Sequence, residues 1–576
     1  MLPTFDTLSP EILTEICEVI HDTSRHTIFS LLQVNKTIYD VALPFVYREM
    51  AFDHDQVHRD GKKPTEKPYT RALEQLDSFF KLPSEHVIWK GVREIAVYAS
   101  LVVWPGEPED SDLDSDSIND ETPFPGPYVP SEQEVRDRWD MFISFLSRVT
   151  GLRKLVFDCT ERVPFVLLHQ LETKHPSCHL HVRNWTRISC ATKFGDPYEE
   201  ALARSPCLRG IEVELSNAYS LRIHLEEAAF ERILALSPNL EEFTVSFGTF
   251  HGIDNEEKEK EVKRFQMAVP VRKTSVRTIR WHTVSGHLFA THCRRWSTFI
   301  DLRNVETLEV GGPPDTEWME YAIVHSAFQG LRHLKLIIAA VPLDASSRGR
   351  YQSTLESFLL SLPPLQSLSV ISFHGYINLP SILRRHGQSL RSLSLHEVEC
   401  RDRQRPSLSC EDLKLILSES LLLEHLAIDL NRSRSPTTSS EMTVAQAYKV
   451  LASFQRLLSI TIHFNLGLHD ENVQFYAKRF RRPSLYANSG VFKQASDAAD
   501  FYTKVDKEFV KEVWCAVKNQ RLENMTLDMG TLSQGLRYGT RWQQSVKKHI
   551  RVSRNERDDL RDDVDTLQII GLAETE

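Results

Sequence analysis

The most regular feature of the chain is a short hydrophobic pattern: an apolar residue, two of any kind, a second apolar residue, one of any kind, and a third apolar residue. Its alternating end predicts a short strand with alternate side chains buried. The copies are Val92-Ile95-Val97, Leu152-Leu155-Phe157, Leu208-Ile211-Val213, Leu240-Phe243-Val245, Val276-Ile279-Trp281, Val305-Leu308-Val310, Leu331-Leu334-Leu336, Leu365-Leu368-Val370, Leu390-Leu393-Leu395, Leu423-Leu426-Ile428, Leu457-Ile460-Ile462 and Leu522-Met525-Leu527, with a degraded copy at Leu180-Val182.

These copies recur at a nearly constant interval. Between Leu208 and Leu457, successive copies begin 25 to 36 residues apart, which is typical of a repeat array. Apolar segments at 230–238 and 353–363 predict return helices, each stopped by a proline. The pattern therefore predicts an α/β fold: a curved, right-handed solenoid with a parallel sheet, because parallel strands require right-handed crossovers. We expect its concave sheet face to hold a target.

Residues 6–49 follow a different, helical period. A first apolar stripe contains Ile12, Leu13, Ile16, Val19 and Ile20; two more follow, from Ile28 to Val34 and from Ile38 to Phe45. Pro10 suits the first helical turn, where Asp6 or Ser9 can cap. Three short helices cannot bury all these side chains among themselves. They form either a docking face or the ordinary helical start of a larger domain.

The opening Leu8-Ser9-Pro10-Glu11-Ile12-Leu13, with Ile16, Leu31, Val34 and Lys36 before Tyr39, resembles an F-box. Ser9 replaces the usual first proline of that family, and Asn35 replaces the usual cysteine. The resemblance implies a three-helix module that docks a Skp-type adaptor and, through it, a cullin ubiquitin ligase. The adaptor-binding residues that it implies are Leu8, Pro10, Ile12, Leu13, Ile16, Leu31, Val34 and Lys36.

The array resembles irregular leucine-rich repeats of the kind that follow an F-box in many fungal-type proteins. The family's asparagine after the strand occurs only at Asn431 and Asn465, so we expect the side-chain ladder to be mostly missing and the solenoid uneven. We expect an F-box at 1–50, a linker and helical cap at 51–90, the repeats at 91–530 and a capping segment or tail at 531–576. Residues 105–131 are acidic and proline-rich, which predicts a disordered loop.

Composition excludes some partners and compartments. The net charge of −10 argues against nucleic acid, which requires a concentrated basic face. No run of about 20 apolar residues occurs, so we expect no membrane partner. The 9 cysteines are scattered without a C-x-x-C pair, which favours the reducing cytoplasm or nucleus.

The chain carries no sequence signature of catalysis. A nucleophile elbow, a phosphate-binding lysine loop and a dinucleotide fingerprint are all missing. Histidines fall at sheet-facing positions, but the offset of His396 and His425 along neighbouring strands separates them by ~13 Å, too far for shared metal ligation. We therefore expect no enzyme activity, cofactor or metal.

The outward strand positions change character along the array. Early copies carry Glu94, Glu212, Glu214 and Glu242, and later copies carry mainly serines. In the middle, Arg280, His282, His333 and Lys335 are predicted to lie on adjacent strands as one basic, target-binding patch. Such a surface suits a protein segment of complementary charge, although a merely solvated sheet face explains it equally well.

Together these features predict a substrate-recognition adaptor of a Skp–cullin–F-box ubiquitin ligase, with the repeats recruiting a protein target. Two alternatives remain open. One is a Skp-bound scaffold that never meets a cullin. The other is a stand-alone binding module whose N-terminal helices only cap the repeats.

Overall fold

The computed structural model describes residues 8–23, 25–53, 69–99, 132–159, 162–185, 196–215, 221–247, 273–283, 289–338, 345–399, 404–432, 444–479, 488–519, 521–529, 548–553 and 568–570. The chain divides into two compact units. The first comprises Met1–Ile279 with Arg295–Asp301, and the second comprises Arg280–Arg294 with Leu302–Glu576. The predicted loop 105–131 lies outside the described residues.

The first unit begins with three helices that pack on one another: α1 (Pro10–Thr23), α2 (Arg25–Leu31) and α3 (Lys36–Val46). Its strands are β1 (Glu49–Asp53), β2 (Glu94–Ala99), β3 (Lys154–Cys159), β4 (His179–Trp185), β5 (Leu208–Leu215) and β6 (Glu242–Phe247). Its other helices are α4 (Tyr69–Phe80), α5 (Ile88–Gly91), α6 (Glu132–Arg148), α7 (Phe165–Lys174), α8 (Pro197–Arg204) and α9 (Leu221–Leu236). Each strand pairs in parallel with the next.

Strand β7 (Thr278–Thr283) and helix α10 (Phe289–Trp296) each include residues of both units. The strands that follow are β8 (Thr307–Val310), β9 (His333–Ile337), β10 (Ser367–Ile371), β11 (Ser392–His396), β12 (His425–Leu430), β13 (Ser459–Phe464), β14 (Asn524–Met529), β15 (Lys548–Ser553) and β16 (Gln568–Ile570). The helices are α11 (Thr316–Val324), α12 (Ala345–Ser361), α13 (Leu379–His386), α14 (Cys410–Glu419), α15 (Val444–Ala452), α16 (Glu471–Arg479), α17 (Gly490–Thr503) and α18 (Lys507–Val517).

Burial confirms the face assignment of the strands. Every residue of the predicted apolar triplets is at most 3% exposed, including the degraded copy at Leu180 and Val182. Equivalent triplet positions pair across neighbouring strands, as Leu334 does with Leu308 and with Leu368. Each unit is thus a repeating α/β stack with a mostly parallel sheet, consistent with a solenoid-like fold.

The backbone repeats a second signature at most steps from one strand to the next. The carbonyl oxygen just before one strand accepts the N–H groups of two successive residues at the start of the next strand. Arg332, for example, accepts from Gln366 and Ser367, at 2.8 and 3.0 Å. This shared carbonyl fixes the register before each strand begins, because one acceptor holds two consecutive donors.

The sheet begins earlier than predicted. Strand β1 lies where we expected the end of the F-box and a linker, and it pairs in parallel with β2. The carbonyl of Arg48 accepts from Arg93 and Glu94, at 2.8 and 2.9 Å, just as other copies do. A Cβ at Gly91 would lie 3.0 Å from the Pro44 carbonyl oxygen, so α5 closely approaches α3. The helical module therefore continues directly into the sheet.

The C-terminal segment adds two strands to the sheet. Strands β15 and β16, in the segment predicted to be a cap or tail, extend the sheet by antiparallel pairing after β14. The side chains of Ile550 and Val552 on β15 are fully buried. The described residues of the unusually long interval between the copies at Leu457 and Leu522 include helices α16, α17 and α18.

Candidate functional site

Helix α1 begins as predicted. Pro10 is its first residue, and the Ile12 N–H donates to the Ser9 hydroxyl at 3.5 Å. Hydrogen bonds from the Glu11 backbone N–H and from Ser9 hold the pKa of the Glu11 carboxyl below its ordinary value. The start of the helix is thus fixed by local contacts.

Helix α1 carries two apolar stripes on different faces. Leu13 and Cys17 are each 2% exposed and belong to the core. Ile12 and Val19, seven residues apart and therefore on one side of the helix, are 47% and 63% exposed. Ile16, between them on that side, is half-buried. Burial among the three helices accounts for the first stripe but leaves the second at the surface.

The rest of the module adds to this apolar surface. Phe29 on α2 is 48% exposed, Val34 in the turn before α3 is 57% exposed, and Tyr39 on α3 is 41% exposed. Of the remaining predicted adaptor-binding residues, Leu8 and Leu31 are half-buried, and Pro10 and Lys36 are exposed. Leu31 packs against the core of Cys17, Ile28, Ala42 and Phe45. The prediction that Leu13 contacts the adaptor is corrected, because its side chain is buried. Leu13 therefore supports the surface from inside rather than contacting a partner.

Asn35, a departure from the F-box pattern, has a structural role. Its side-chain oxygen accepts the Ile38 N–H at 2.8 Å and caps helix α3. The residue keeps an extended backbone (φ −161°, ψ 172°), which suits a cap position. Sequence reasoning missed this role, although an asparagine directly before a helical stripe is a recognised cap signal.

The predicted basic patch is wrong in its geometry. Arg280 and His282 lie on β7, whereas His333 and Lys335 lie on β9, and β8 stands between these strands. Glu309 of β8 pairs in register with Lys335 and accepts a hydrogen bond from its ammonium group. Arg280, His282 and Lys335 are half-buried, and only His333 is exposed. The ion pair removes Lys335 as a free positive charge, so these residues do not form one basic patch.

The structure reveals a polar row that the sequence did not predict. It consists of outward-facing residues at equivalent positions of strands β11 to β15: His396, Asp429, His463, Asp528 and His549. His396 Nδ1 lies 2.7 Å from Asp429 Oδ1, and His463 Nδ1 lies 3.2 Å from Asp528 Oδ2. The His396 and His463 ring centroids are 4.3 Å apart. We call these five residues the His/Asp row.

Part of the His/Asp row is buried although it faces outward. His396 and Asp429 are each 2% exposed, because the segment 404–408, called here the strap, lies over them. Arg405 of the strap is 1% exposed; it lies 3.4 Å from Asp429 Oδ1 and donates to the His463 carbonyl at 2.7 Å. The Asn431 side chain donates to the Arg405 carbonyl.

Side chains in the row and next to it hold the loops that follow the strands. In the sequence, most of the asparagines that would form a ladder at these loops are missing. Asn465 accepts the Arg432 N–H at 2.8 Å. Elsewhere carboxylates accept backbone N–H groups in the same way. Asp429 accepts the Glu397 N–H, and Glu399 accepts the N–H groups of Leu466 and Leu468, both at 2.8 Å. The loops after β11 and β13 are therefore held by acidic residues, a substitution that a search for asparagine alone does not find.

The pKa of the Asp528 carboxyl in this row is shifted. Burial alone would raise its pKa, but the hydrogen bond from His463 and the charges of His463, His549 and His396 lower the pKa below its ordinary value.

Among buried thiols, desolvation raises the pKa of Cys178 and of Cys293 to about 12 each. These two thiols stay protonated at neutral pH and are poor nucleophiles.

Two further observations concern ligands and membranes. Among the described residues, no group of three or more His, Cys, Asp or Glu side chains is arranged to hold a metal ion. Within the same part of the chain, no helix combines the length and apolarity needed to cross a bilayer.

No protein-family model matches the chain, and no curated protein is detectably similar to it.

Proposed function

We propose that this chain is a substrate-recognition adaptor of a Skp–cullin–F-box ubiquitin ligase. The three N-terminal helices dock a Skp-type subunit, and the outward sheet face recruits a protein target. The resemblance of residues 8–39 to an F-box and of the later triplets to irregular leucine-rich repeats supports this proposal. Such an adaptor acts in the cytoplasm or nucleus and needs no active site, because it increases rate only by holding a target near a transfer enzyme.

The observation that carries the proposal is the second apolar stripe of α1. Ile12 and Val19 remain about half exposed or more, and Phe29, Val34 and Tyr39 enlarge the apolar surface on the same module. Exposed apolar side chains concentrated on one small helical unit are typical of a docking surface. We propose Leu8, Pro10, Ile12, Ile16, Leu31, Val34 and Lys36 as its contact or rim residues.

A simple cap for the repeats is the main competing role. The shared carbonyl of Arg48 and the approach of Gly91 to Pro44 are what a cap requires. A cap, however, needs only the stripe that contains Leu13 and Cys17, and it leaves the exposure of Ile12 and Val19 without a purpose. The docking role uses both stripes.

The test compares exposed and buried residues of the same helix. The double variant Ile12→Ala/Val34→Ala should weaken binding of a purified Skp-type adaptor by about 5- to 150-fold per side chain, since each truncation removes roughly 1–3 kcal/mol of apolar burial. Its thermal midpoint should match that of the unmodified chain. Binding is measured by calorimetry with the full chain.

Two control variants sharpen this comparison. Val324→Ala removes a valine of α11 that is even more exposed than Val34 and lies far along the sequence, and it should leave adaptor binding unchanged. Leu13→Ala should lower the thermal midpoint, because large-to-small changes in a core cost about 2–5 kcal/mol. Unchanged adaptor affinity in the folded double variant would refute the docking role.

Recovery of a cullin separates a ligase adaptor from a Skp-bound scaffold. Purification of the tagged chain from cells should yield the Skp-type subunit and a cullin together, and both should be lost with Ile12→Ala/Val34→Ala. A complex that contains the Skp-type subunit but never a cullin would instead identify the scaffold.

We propose the outward sheet face of the second unit as the target surface. Beyond the Glu309–Lys335 pair it presents mainly small polar side chains: Ser367, Ser369, Ser392, Ser394, Ser459 and Thr461. Arg280, His282, His333 and Lys335 remain proposed target contacts. Since Lys335 is neutralised by Glu309, this face fits a polar protein segment better than a strongly acidic one. His333→Ala should weaken target capture and spare adaptor binding.

A further inference from the structure

We propose that three arginines of the first unit, Arg48, Arg93 and Arg153, form a docking site for an acidic protein segment. Each of them lies directly before a strand, at the end of the sheet where β1, β2 and β3 begin. We call them the arginine row. The inference does not depend on the ligase proposal, and the site differs from the proposed target surface, which belongs to the second unit.

Backbone pairing places the three arginines side by side. The strands that follow them are neighbours in the sheet and pair in parallel from their first residues. The Arg93 N–H donates to the Arg48 carbonyl at 2.8 Å, and the Arg153 N–H donates to the Arg93 carbonyl at 2.7 Å. Neighbouring strands lie ~4.8 Å apart, so the three side chains leave the backbone within about 10 Å. They form one row of charge.

The row has too few negative charges to balance it. Arg48 pairs with Glu18 at 3.3 Å, whereas the Arg93 guanidinium donates to the neutral carbonyl of Gly151 at 2.9 Å. Arg153 is exposed. Among the described residues, no carboxylate lies within ion-pair distance of Arg93 or Arg153. Burial and the charges of Arg153 and Arg48 hold the pKa of Arg93 below its ordinary value. Like charges thus remain next to one another.

The same position is balanced in other repeats. Arg209 pairs with Glu241 of the next repeat at 3.2 Å, and Arg391 pairs with Glu424 at 2.6 Å. In those copies an arginine is followed, one strand later, by a glutamate. In the arginine row an arginine is followed twice by another arginine. Like charges opposite each other on neighbouring strands are destabilising, so the fold alone does not favour this arrangement.

Two further cations extend the row. Arg148, at the end of α6, lies over the Trp89 ring, 5.3 Å from its centroid, and Lys90 of α5 is exposed. The Thr150 N–H donates to the Trp89 carbonyl at 2.8 Å, which joins the ends of these two helices. The C-terminal ends of α3, α5 and α6 each offer about half a negative charge, so together with Glu18 they offset at most about half of the positive charge. A net positive site remains.

The geometry favours an extended acidic segment over a single small anion or a nucleic acid. The guanidinium groups of Arg48 and Arg93 point to different partners, so they do not converge on one ion. Glu49 and Glu94 are exposed next to the row and would repel a phosphate backbone. A strand-like segment presents a side chain on one side every ~7 Å, so its carboxylates can meet successive arginines.

Fluorescence anisotropy of the full chain tests this inference. The probe is a fluorescein-labelled peptide of about ten glutamates, which spans the row when extended. The unmodified chain should bind it, and a matching all-lysine peptide should not bind. Binding should weaken as the salt concentration rises from about 0.05 M to about 0.5 M, because salt screens exposed charges.

The key variant is Arg153→Glu, which gives Arg93 the kind of carboxylate neighbour that Arg209 has in Glu241. It should weaken peptide binding roughly tenfold, since it removes one exposed ion pair and adds a repulsion. Its thermal midpoint should stay the same or rise, because an opposite charge replaces a like charge. Arg153→Lys keeps the charge and should retain binding.

Arg391→Gln is the matched control. Arg391 is exposed and occupies the same position of its repeat, but it is already paired with Glu424, so its loss should leave peptide binding unchanged. If Arg153→Glu does not fold, Arg153→Gln serves instead and should weaken binding about threefold.

Undiminished peptide binding by folded Arg153→Glu would overturn the inference. A lower thermal midpoint in both Arg153→Glu and Arg153→Gln would also overturn it, because the arginine would then stabilise the fold. Single-stranded RNA or anionic lipid vesicles that bind more tightly than the peptide, with the same dependence on Arg153, would refute a protein segment as the partner.

Discussion

Gly467, in the loop after β13, is under two constraints at once. Its φ of +67° lies in the region that side chains with a Cβ rarely adopt. A Cβ there would also lie 2.4 Å from Cδ2 of Tyr502, whose ring is 3% exposed. Glycine is thus required both by backbone conformation and by the close packing of α17.

Gly467→Ala should therefore lower the free energy of unfolding of the second unit by more than the strain of a positive φ alone would. Positive φ costs an alanine about 1–2 kcal/mol, and overpacking adds roughly 1–3 kcal/mol. The control is Gly375→Ala, where φ is +75° but no atom lies within 4 Å of the new Cβ. Thermal unfolding should show the larger decrease for Gly467→Ala; equal decreases would mean that Tyr502 moves away freely.

At the residue level, the sequence predicted which side of each strand is buried, but not every burial state. His396 and Asp429 alternate correctly with the core residues and so face outward, yet both are buried. Their burial depends on Arg405, which lies outside the strands, and an alternation pattern within a strand carries no signal for such a contact. Lys335 was assigned a free charge for a similar reason: its partner Glu309 is distant in sequence and close only in register.

Among the structural elements, helix α3 depends on its first residue. Asn35 supplies the hydrogen bond that the Ile38 N–H would otherwise lack. Asn35→Ala should lower the free energy of unfolding of the module by about 1 kcal/mol, the usual value of a cap, whereas Asn35→Ser should lose much less. The free energy of unfolding of the two variants is compared by circular dichroism, and their adaptor affinity is compared alongside. Equal stability of Asn35→Ala and the unmodified chain would show that this cap contributes nothing.

The end of the sheet should respond to acid through Asp528. Its folded-state pKa lies below the ordinary value of 3.8, so its ionised form stabilises the fold at pH values above that, and the contribution disappears as the pH falls through the folded-state value. Unmodified chain and Asp528→Asn should differ most in thermal midpoint near neutral pH and converge below about pH 4. A difference that stays constant down to acid pH would contradict this assignment.

Strand existence was predictable from the sequence, and strand limits at both ends of the array were not. The apolar triplets match strands because alternation is set by local geometry. Strand β1 escaped prediction because its copy of the pattern, Tyr47-Met50-Phe52, begins with a tyrosine and follows directly on the helical stripes before it. Strands β15 and β16 pair antiparallel, so they do not follow the repeat pattern at all.

At the scale of the molecule, stacked repeats make stability local. Each strand pairs only with its neighbours in the sheet, so damage at one position should spread over a few repeats rather than the entire chain. Ile550→Ala in β15 should raise hydrogen exchange in β13 and β14, since its side chain is fully buried, and leave β8 and β9 protected.

Arg551→Ala is the natural control for that experiment. Arg551 lies on the same strand, one residue away, but its side chain is exposed, so exchange in β13 and β14 should stay as in the unmodified chain. Loss of protection in β8 and β9 with Ile550→Ala would show that the second unit unfolds as a single cooperative body instead.

The shared carbonyl of Arg48 has a consequence for the modularity of this protein. Since Arg48 holds Arg93 and Glu94, and β1 pairs along its full length with β2, a cut at residue 50 passes through a strand. A repeat fragment that starts at residue 51 retains Phe52, which is 1% exposed in the intact chain, without the residues that hold it in register. The N-terminal helices and the first strand form one inseparable piece, and any exchange of modules between related chains has to take place after Asp53.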